Sequence, residues 1–189
     1  MLWPATSLTV ALLVLTGALY PAFLYAVARI AMPWPAGGSL VHDSTGRVIG
    51  SSLIGQPFSS PYYFHGRPSA VAYDGAASGA SNLGPTNPQL ADSIARRAEL
   101  FRTANALAPN TALPSDAVTT SASGLDPDIS PADAALQIAR VATARGASAG
   151  VVMTLVATHT TRPTLGIIGE TRLNVLRLNL ALDSALGRP

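Results

Sequence analysis

Serine, histidine and aspartate all occur in this chain, so nucleophilic hydrolysis is the first chemistry to weigh. His65, Asp74 and Ser78 form the best-placed trio, with Ser81 as a second candidate nucleophile. A hydroxyl needs an adjacent base and an orienting acid before it can attack at neutral pH. Ser78 and Ser81 lie in a Ser-Gly-Ala-Ser run that lacks the G-x-S-x-G elbow holding such a serine on a sharp strand-to-helix turn. Metal chemistry has less to draw on: His42, His65 and His159 are far apart, there is no H-E-x-x-H, and there is no cysteine. A P-loop is excluded, because its lysine reaches the β- and γ-phosphates and this chain has none; its 12 basic residues are all arginine. Ser121, Ser123 and Gly124 sit in a small-residue loop ahead of Asp126-Pro127-Asp128. Its backbone donors could cradle an anion, and an ordinary turn is the other reading.

A different chemistry, recognition, is written into residues 56–68. That stretch holds Phe58, Tyr62, Tyr63, Phe64, His65 and Arg67. Tyrosine and arginine are favoured anchors at protein interfaces. Gln56, Phe58, Tyr63, Phe64, His65 and Arg67, with Ser81, Asn82 and Asn87 further on, are therefore candidate docking residues. The competing reading folds these aromatics onto the domain's own core. Alanine at Phe58, Phe64 or Arg67 separates the two, since an interface anchor can be removed without unfolding the domain.

The elements that must position these residues begin with an uncharged run, residues 8–28. As a helix it would span roughly 31 Å, enough for the hydrocarbon core of a bilayer. Trp3 and Trp34 flank it at interface-like positions, and Gly17 and Pro21 are tolerated in membrane helices, where Gly17 would also let a neighbouring helix pack closely. A cleaved leader is the rival, but no basic residue precedes the run. Arg29 alone after the span would favour a cytoplasmic domain under the positive-inside rule. The Pro/Gly stretch 33–38 then separates an N-terminal segment, 1–33, from a domain, 34–189.

Within the domain, residues 41–56 read as two short strands around Thr45-Gly46, and 57–84 as an irregular loop of unusual length. Asn87-Pro88 starts a helix reaching about residue 107. Residues 117–120 suggest a short strand. Ser130-Pro131 opens a helix that runs to Arg145 and stops at Gly146; another follows over 148–159. Residues 165–168 suggest a strand and 173–186 a final helix. The fold class is a mixed α/β, or α+β, domain preceded by a single transmembrane helix.

Composition narrows the function classes. The chain has 189 residues, 12 % charged and 48 % hydrophobic, with a mean hydropathy of +0.32. This is far from the low-hydrophobicity, high-charge signature of disorder. The net charge is +2 with charges scattered singly, which gives no footprint for nucleic acid.

Four segments, in order, carry a resemblance. They are Gly55-Gln56-Pro57-Phe58 continuing to Tyr63-Phe64-His65-Gly66-Arg67-Pro68-Ser69-Ala70; Ser78-Gly79-Ala80-Ser81-Asn82-Leu83-Gly84-Pro85-Thr86-Asn87-Pro88; Thr120-Ser121-Ala122-Ser123-Gly124-Leu125-Asp126-Pro127-Asp128-Ile129-Ser130-Pro131; and Gly169-Glu170 continuing to Asn174-Val175-Leu176 and Asn179-Leu180-Ala181-Leu182-Asp183. Together they resemble the family of C subunits of the Kdp potassium-transporting ATPase, over nearly the whole chain. Ala80 and Thr171 depart from that family's usual glycine and proline. The resemblance implies an accessory subunit of a bacterial or archaeal plasma-membrane complex, with its domain on the extracytoplasmic side. The implied partners are a channel-like potassium-binding subunit, a P-type ATPase subunit and a small single-span subunit. It implies no tightly bound cofactor; ATP would enter through the ATPase subunit, whose ATP affinity this chain would raise as a catalytic chaperone. The alternative reading is a membrane-anchored extracytoplasmic hydrolase, using His65 with Ser78 or Ser81, or a binding module.

Overall fold

A computed structural model describes residues 2–43 and 45–189; Met1, at the head of the N-terminal segment, and Ser44, in the expected hairpin, lie outside it. The chain divides into two compact units, one ending at Ser51 and the other running from Ser52 to Pro189.

In the first unit a single helix covers Leu2–Ala31, longer at both ends than the uncharged run suggested. It is apolar and long enough to cross a membrane, and no residue along it is buried. It comprises α1 (Leu2–Val14), a wide π-helical turn (Leu15–Leu19) and α2 (Tyr20–Ala31). The wide turn has a local cause. Pro21 has no N–H to give the carbonyl of Gly17 and its ring would crowd that carbonyl, so the helix widens there. A helical turn α3 (Pro33–Ala36) follows, then strands β1 (Leu40–His42) and β2 (Val48–Ser51), paired antiparallel. Asp43 stabilises the turn between them: its Oδ1 accepts from the N–H groups of Thr45 and Arg47.

The second unit opens with an irregular segment that holds no helix or strand before Asn87. Asn87 caps α4 (Pro88–Ala104), accepting from Gln89 N–H. Residues 117–120 do not form the expected strand. Ser115–Val118 is a helical turn, α5, because Pro114 sets its start and the Asp116 carboxylate accepts from both the N–H and hydroxyl of Ser130. Strand β3 (Asp128–Ile129) precedes α6 (Pro131–Arg145), capped by Ser130 and ended by Gly146 at φ 62°. Helix α7 (Ala149–His159), capped by Ser148, runs into β4 (Thr160–Thr161). Residues 165–168 form a turn rather than a strand, since Leu165 and Gly166 both take positive φ. The final helix starts later than expected: Arg172–Asn174 is strand β5, and Asn174 caps α8 (Val175–Leu186).

β5 is the centre of a three-stranded antiparallel sheet, order β3-β5-β4. Its Leu173 is fully buried against Ile129, Val141, Val152, Leu178 and Leu182, so the sheet and helices α6, α7 and α8 close one core. The fold is therefore helix-rich α+β, following an apolar N-terminal helix.

Candidate functional site

The irregular segment owes its order to side chains from distant helices. Asn179, on α8, holds Phe64 by both backbone groups: Phe64 N–H donates to Asn179 Oδ1 (2.8 Å) and Asn179 Nδ2 donates to the Phe64 carbonyl (2.9 Å). Gln137, on α6, does the same for His65, receiving its N–H (2.8 Å) and donating to its carbonyl (3.1 Å). Asn179 and Gln137 are each 1 % exposed, so these bonds are made out of water, where losing one is costly. Two arginines complete the clamp. Arg140 donates to the carbonyls of Pro61 and Tyr63, to Asn105 Oδ1 and to Gln137 Oε1. Arg145 donates to the Tyr62 carbonyl, pairs with Asp183 at 2.7 Å and lies over the Tyr63 ring, 4.9 Å from its centroid.

This geometry places the aromatic candidates inward. Phe64 is 0 % exposed and belongs to the core, so it offers no surface to a partner. Phe58 packs against that core and tilts against Tyr63, whose hydroxyl donates to Asp183. His65 Nε2 lies 3.0 Å from the Ser60 carbonyl. Burial, with the Arg140 charge beside it, holds its pKa below the usual histidine range. Arg67 pairs with Asp126 at 2.9 Å. Ser81 and Asn82 are exposed, while Gln56 and Asn87 are half-buried.

The small-residue loop is likewise engaged. Gly124 N–H donates to Ser121, and Leu125 N–H to Ser123 Oγ. The loop's carbonyls take the other bonds: Gly79 N–H and Ser78 Oγ donate to Ser123, and Ser69 Oγ to Gly124. The loop is thus a clasp against residues 69–79, with those donors turned to its own chain. Gly124 (φ 68°) has to be glycine, because a Cβ there would meet Val71 Cγ2 at 2.5 Å and the Gly79 carbonyl at 2.8 Å. Tyr73 is wedged between Gly55 and Gly66 and donates its hydroxyl to the Arg67 carbonyl. Its phenol is pushed up to about 12, chiefly by burial.

The hydrolase trio is not assembled. Asp74 Oδ1 accepts from Ala76 N–H, Ser78 donates to Ser123, and His65 lies against Ser60. Among the described residues, no group of three or more histidines, aspartates or glutamates is placed to hold a metal ion. A cleft of about 490 Å³ is lined by Arg67, Asp116, Asp126, Asp128, Glu170 and Arg172. Its arginines are already paired, Arg67 with Asp126 and Arg172 with Asp128 (3.0 Å), so it presents structural ion pairs rather than a poised acid and base. Behind it Asp133 is buried and its carboxyl is pushed up to about 7 by desolvation; the Gln137 hydrogen bond offsets part of this, and the Asp116 charge adds to it.

Gln137, Arg140, Arg145 and Asp116 carry this arrangement and were not singled out from the sequence. Their signal was present in part: Asp133, Gln137 and Arg140 recur at helical spacing on α6.

An N-terminal helix long and apolar enough to cross a membrane, followed by a helix-rich α+β unit, defines the class by its architecture. Comparison with known proteins places the chain more closely. The family model described as "KdpC: K+-transporting ATPase, c chain" matches residues 2–184. Proteins named potassium-transporting ATPase KdpC subunit are similar throughout. That of Gemmatimonas aurantiaca is 53 % identical over 184 residues, covering 96 % of this chain and 91 % of its own. That of Sorangium cellulosum is 52 % identical, covering 96 % of each chain. That of Geobacter sulfurreducens is 47 % identical, covering 97 % of each. This chain belongs to the KdpC family.

Proposed function

We propose that this chain is a non-catalytic accessory subunit of an ATP-driven, high-affinity potassium importer. The observation that carries the proposal is the match of residues 2–184 to a family described as the c chain of a K+-transporting ATPase. The Leu2–Ala31 helix anchors the protein as a single span, and the second unit works on the extracytoplasmic side of a bacterial or archaeal plasma membrane. Its partners are a channel-like potassium-binding subunit, a P-type ATPase subunit that carries the phosphorylation chemistry, and a small single-span subunit. The chain serves assembly and coupling, and shapes the potassium entrance. Any effect on ATP affinity is exerted through the ATPase subunit, a reading favoured by a small-residue loop whose hydrogen bonds turn inward. Gly17 and the widened turn before Pro21 are where the anchor meets partner helices. The hydrolase alternative gains no support from His65, Asp74 and Ser78, each of which bonds elsewhere.

The test is purification of the full-length protein from potassium-starved cells in mild detergent. The expected result is co-purification of a P-type ATPase and a large channel-like protein, identified by mass. Recovery of this chain alone, from cells shown to express both, overturns the proposal.

A further inference from the structure

The wide turn in the N-terminal helix leaves a main-chain acceptor without a donor. Tyr20 gives its N–H to the Leu15 carbonyl, five residues back, and so passes over Thr16. The next residue in line is Pro21, which has no N–H to give. The Thr16 carbonyl therefore receives nothing from the turn that follows it. Its place makes this costly. Thr16 and Gly17 are the midpoint of the Leu2–Ala31 helix, with about 21 Å of helix on either side, whereas half a hydrocarbon core is about 15 Å. At that depth neither lipid tails nor water supply a donor, and a bare carbonyl has to be met by protein.

The chemistry of the occupant follows. A charged donor is expensive at the bilayer centre, so the group is neutral. A hydroxyl has one proton and tends to spend it on its own helix. All four on this helix do so: Thr6 donates to the Leu2 carbonyl, Ser7 to Pro4, Thr9 to Ala5 and Thr16 to Leu12. A carboxamide has two N–H groups and keeps one for a neighbour. This helix carries no asparagine or glutamine, so a second copy brings none. Its Tyr20 and Tyr25 would hold two copies apart rather than let them close at Gly17. Gly17 leaves the approach open, since nothing lies within 4 Å of where its Cβ would be.

We infer that the Thr16 carbonyl accepts a hydrogen bond from an asparagine or glutamine side chain on a membrane helix of another chain, packed against Gly17. The inference rests on the single-span accessory-subunit reading and adds to it the bond that makes the helix contact.

The test uses the full-length chain in its native membrane. A photo-crosslinking amino acid replaces Leu13, one turn before Gly17 on the same face. The expected crosslink joins a membrane helix of another chain, within a turn of an asparagine or glutamine. That residue is then changed to leucine, with and without Pro21→Ala, which restores an N–H to the ladder. The leucine change is expected to lower recovery of the crosslinked chain about fivefold by itself, and to have no further effect when Pro21→Ala is present. Gly17→Leu, which fills the open approach, is expected to abolish the crosslink, a result that does not depend on how Pro21→Ala folds. Crosslinks only to lipid, to a second copy or to a stretch without a carboxamide overturn the proposal. So does a loss that is the same with and without Pro21→Ala, or a crosslink that survives Gly17→Leu. Each of these leaves the accessory reading intact, while failure of the wild type to recover any partner chain overturns both.

Discussion

Asn179 and Gln137 each do for one residue of the irregular segment what a neighbouring strand does in a sheet: a side-chain amide presents a donor and an acceptor to a backbone that has no ladder. Alanine at either position strands a buried N–H and carbonyl, so each substitution is expected to cost about 2–4 kcal/mol of stability, read by denaturant melts of the full-length protein in detergent. Phe64→Ala is expected to cost about 3–5 kcal/mol in the same measurement, the range for emptying a phenylalanine site in a core. An unchanged melt would return Phe64 to the interface. Asp133 gives a pH test. Its pKa in the fold, about 7, lies above the 3.8 of an ordinary aspartate, so between those values the folded state holds more protons than the unfolded one. Stability from this group is therefore full at the acid end and is lost as pH rises from about 4 to 7. Asp133→Asn removes the titration and keeps an acceptor for Gln137, so its melting temperature should gain on wild type steadily across that range. A constant difference would show that Asp133 does not titrate there.

Elements of ten residues or more were legible in the sequence because periodicity and caps repeat the same message. Ser130-Pro131, Gly146 and Asn87-Pro88 mark ends that the structure places within a few residues. The hairpin of β1 and β2 was legible as well, from the turn residues at its centre, but the strands of the second unit were not. β3 and β4 have two residues each and β5 has three, too few for any alternation to be read, and β3 finds its partner β5 more than 40 residues away, as in the pair of Ile129 with Leu173. Ala117 and Val118 suggest a strand by composition, but Pro114 and the bonds that Ser130 donates to the Asp116 carboxylate make a helical turn there. The inward packing of Phe64 was open for a related reason: which way an aromatic loop faces is decided by amides more than 70 residues away, Gln137 and Asn179. The clasp at residues 121–126 makes its own prediction. Gly124→Ala meets both a positive φ and two atoms within 3 Å, so the expected loss is at least about 2 kcal/mol, with residues 69–79 becoming accessible to protease. Native-like protease resistance would show that the clasp has slack.

At the scale of the molecule, the polar side chains that order the irregular segment are turned onto the domain's own chain. The arginines of α6 hold carbonyls, Arg67 and Arg172 hold carboxylates, and the loop donors hold the chain itself. That is compatible with the proposed accessory role, in which a partner subunit performs the chemistry. Three of the four motifs that made the family legible include residues held tightly in the fold. Gly55 and Gly124 admit no Cβ, and Asn174 and Asn179 fix a helix start and the buried segment.

The most direct test of the central claim is potassium-stimulated ATPase activity in membranes from cells lacking this chain, with and without the full-length protein restored. The account predicts that activity is absent without the chain and returns with it, while the purified chain alone hydrolyses no ATP. Full activity in its absence, or hydrolysis by the isolated protein, would contradict the account.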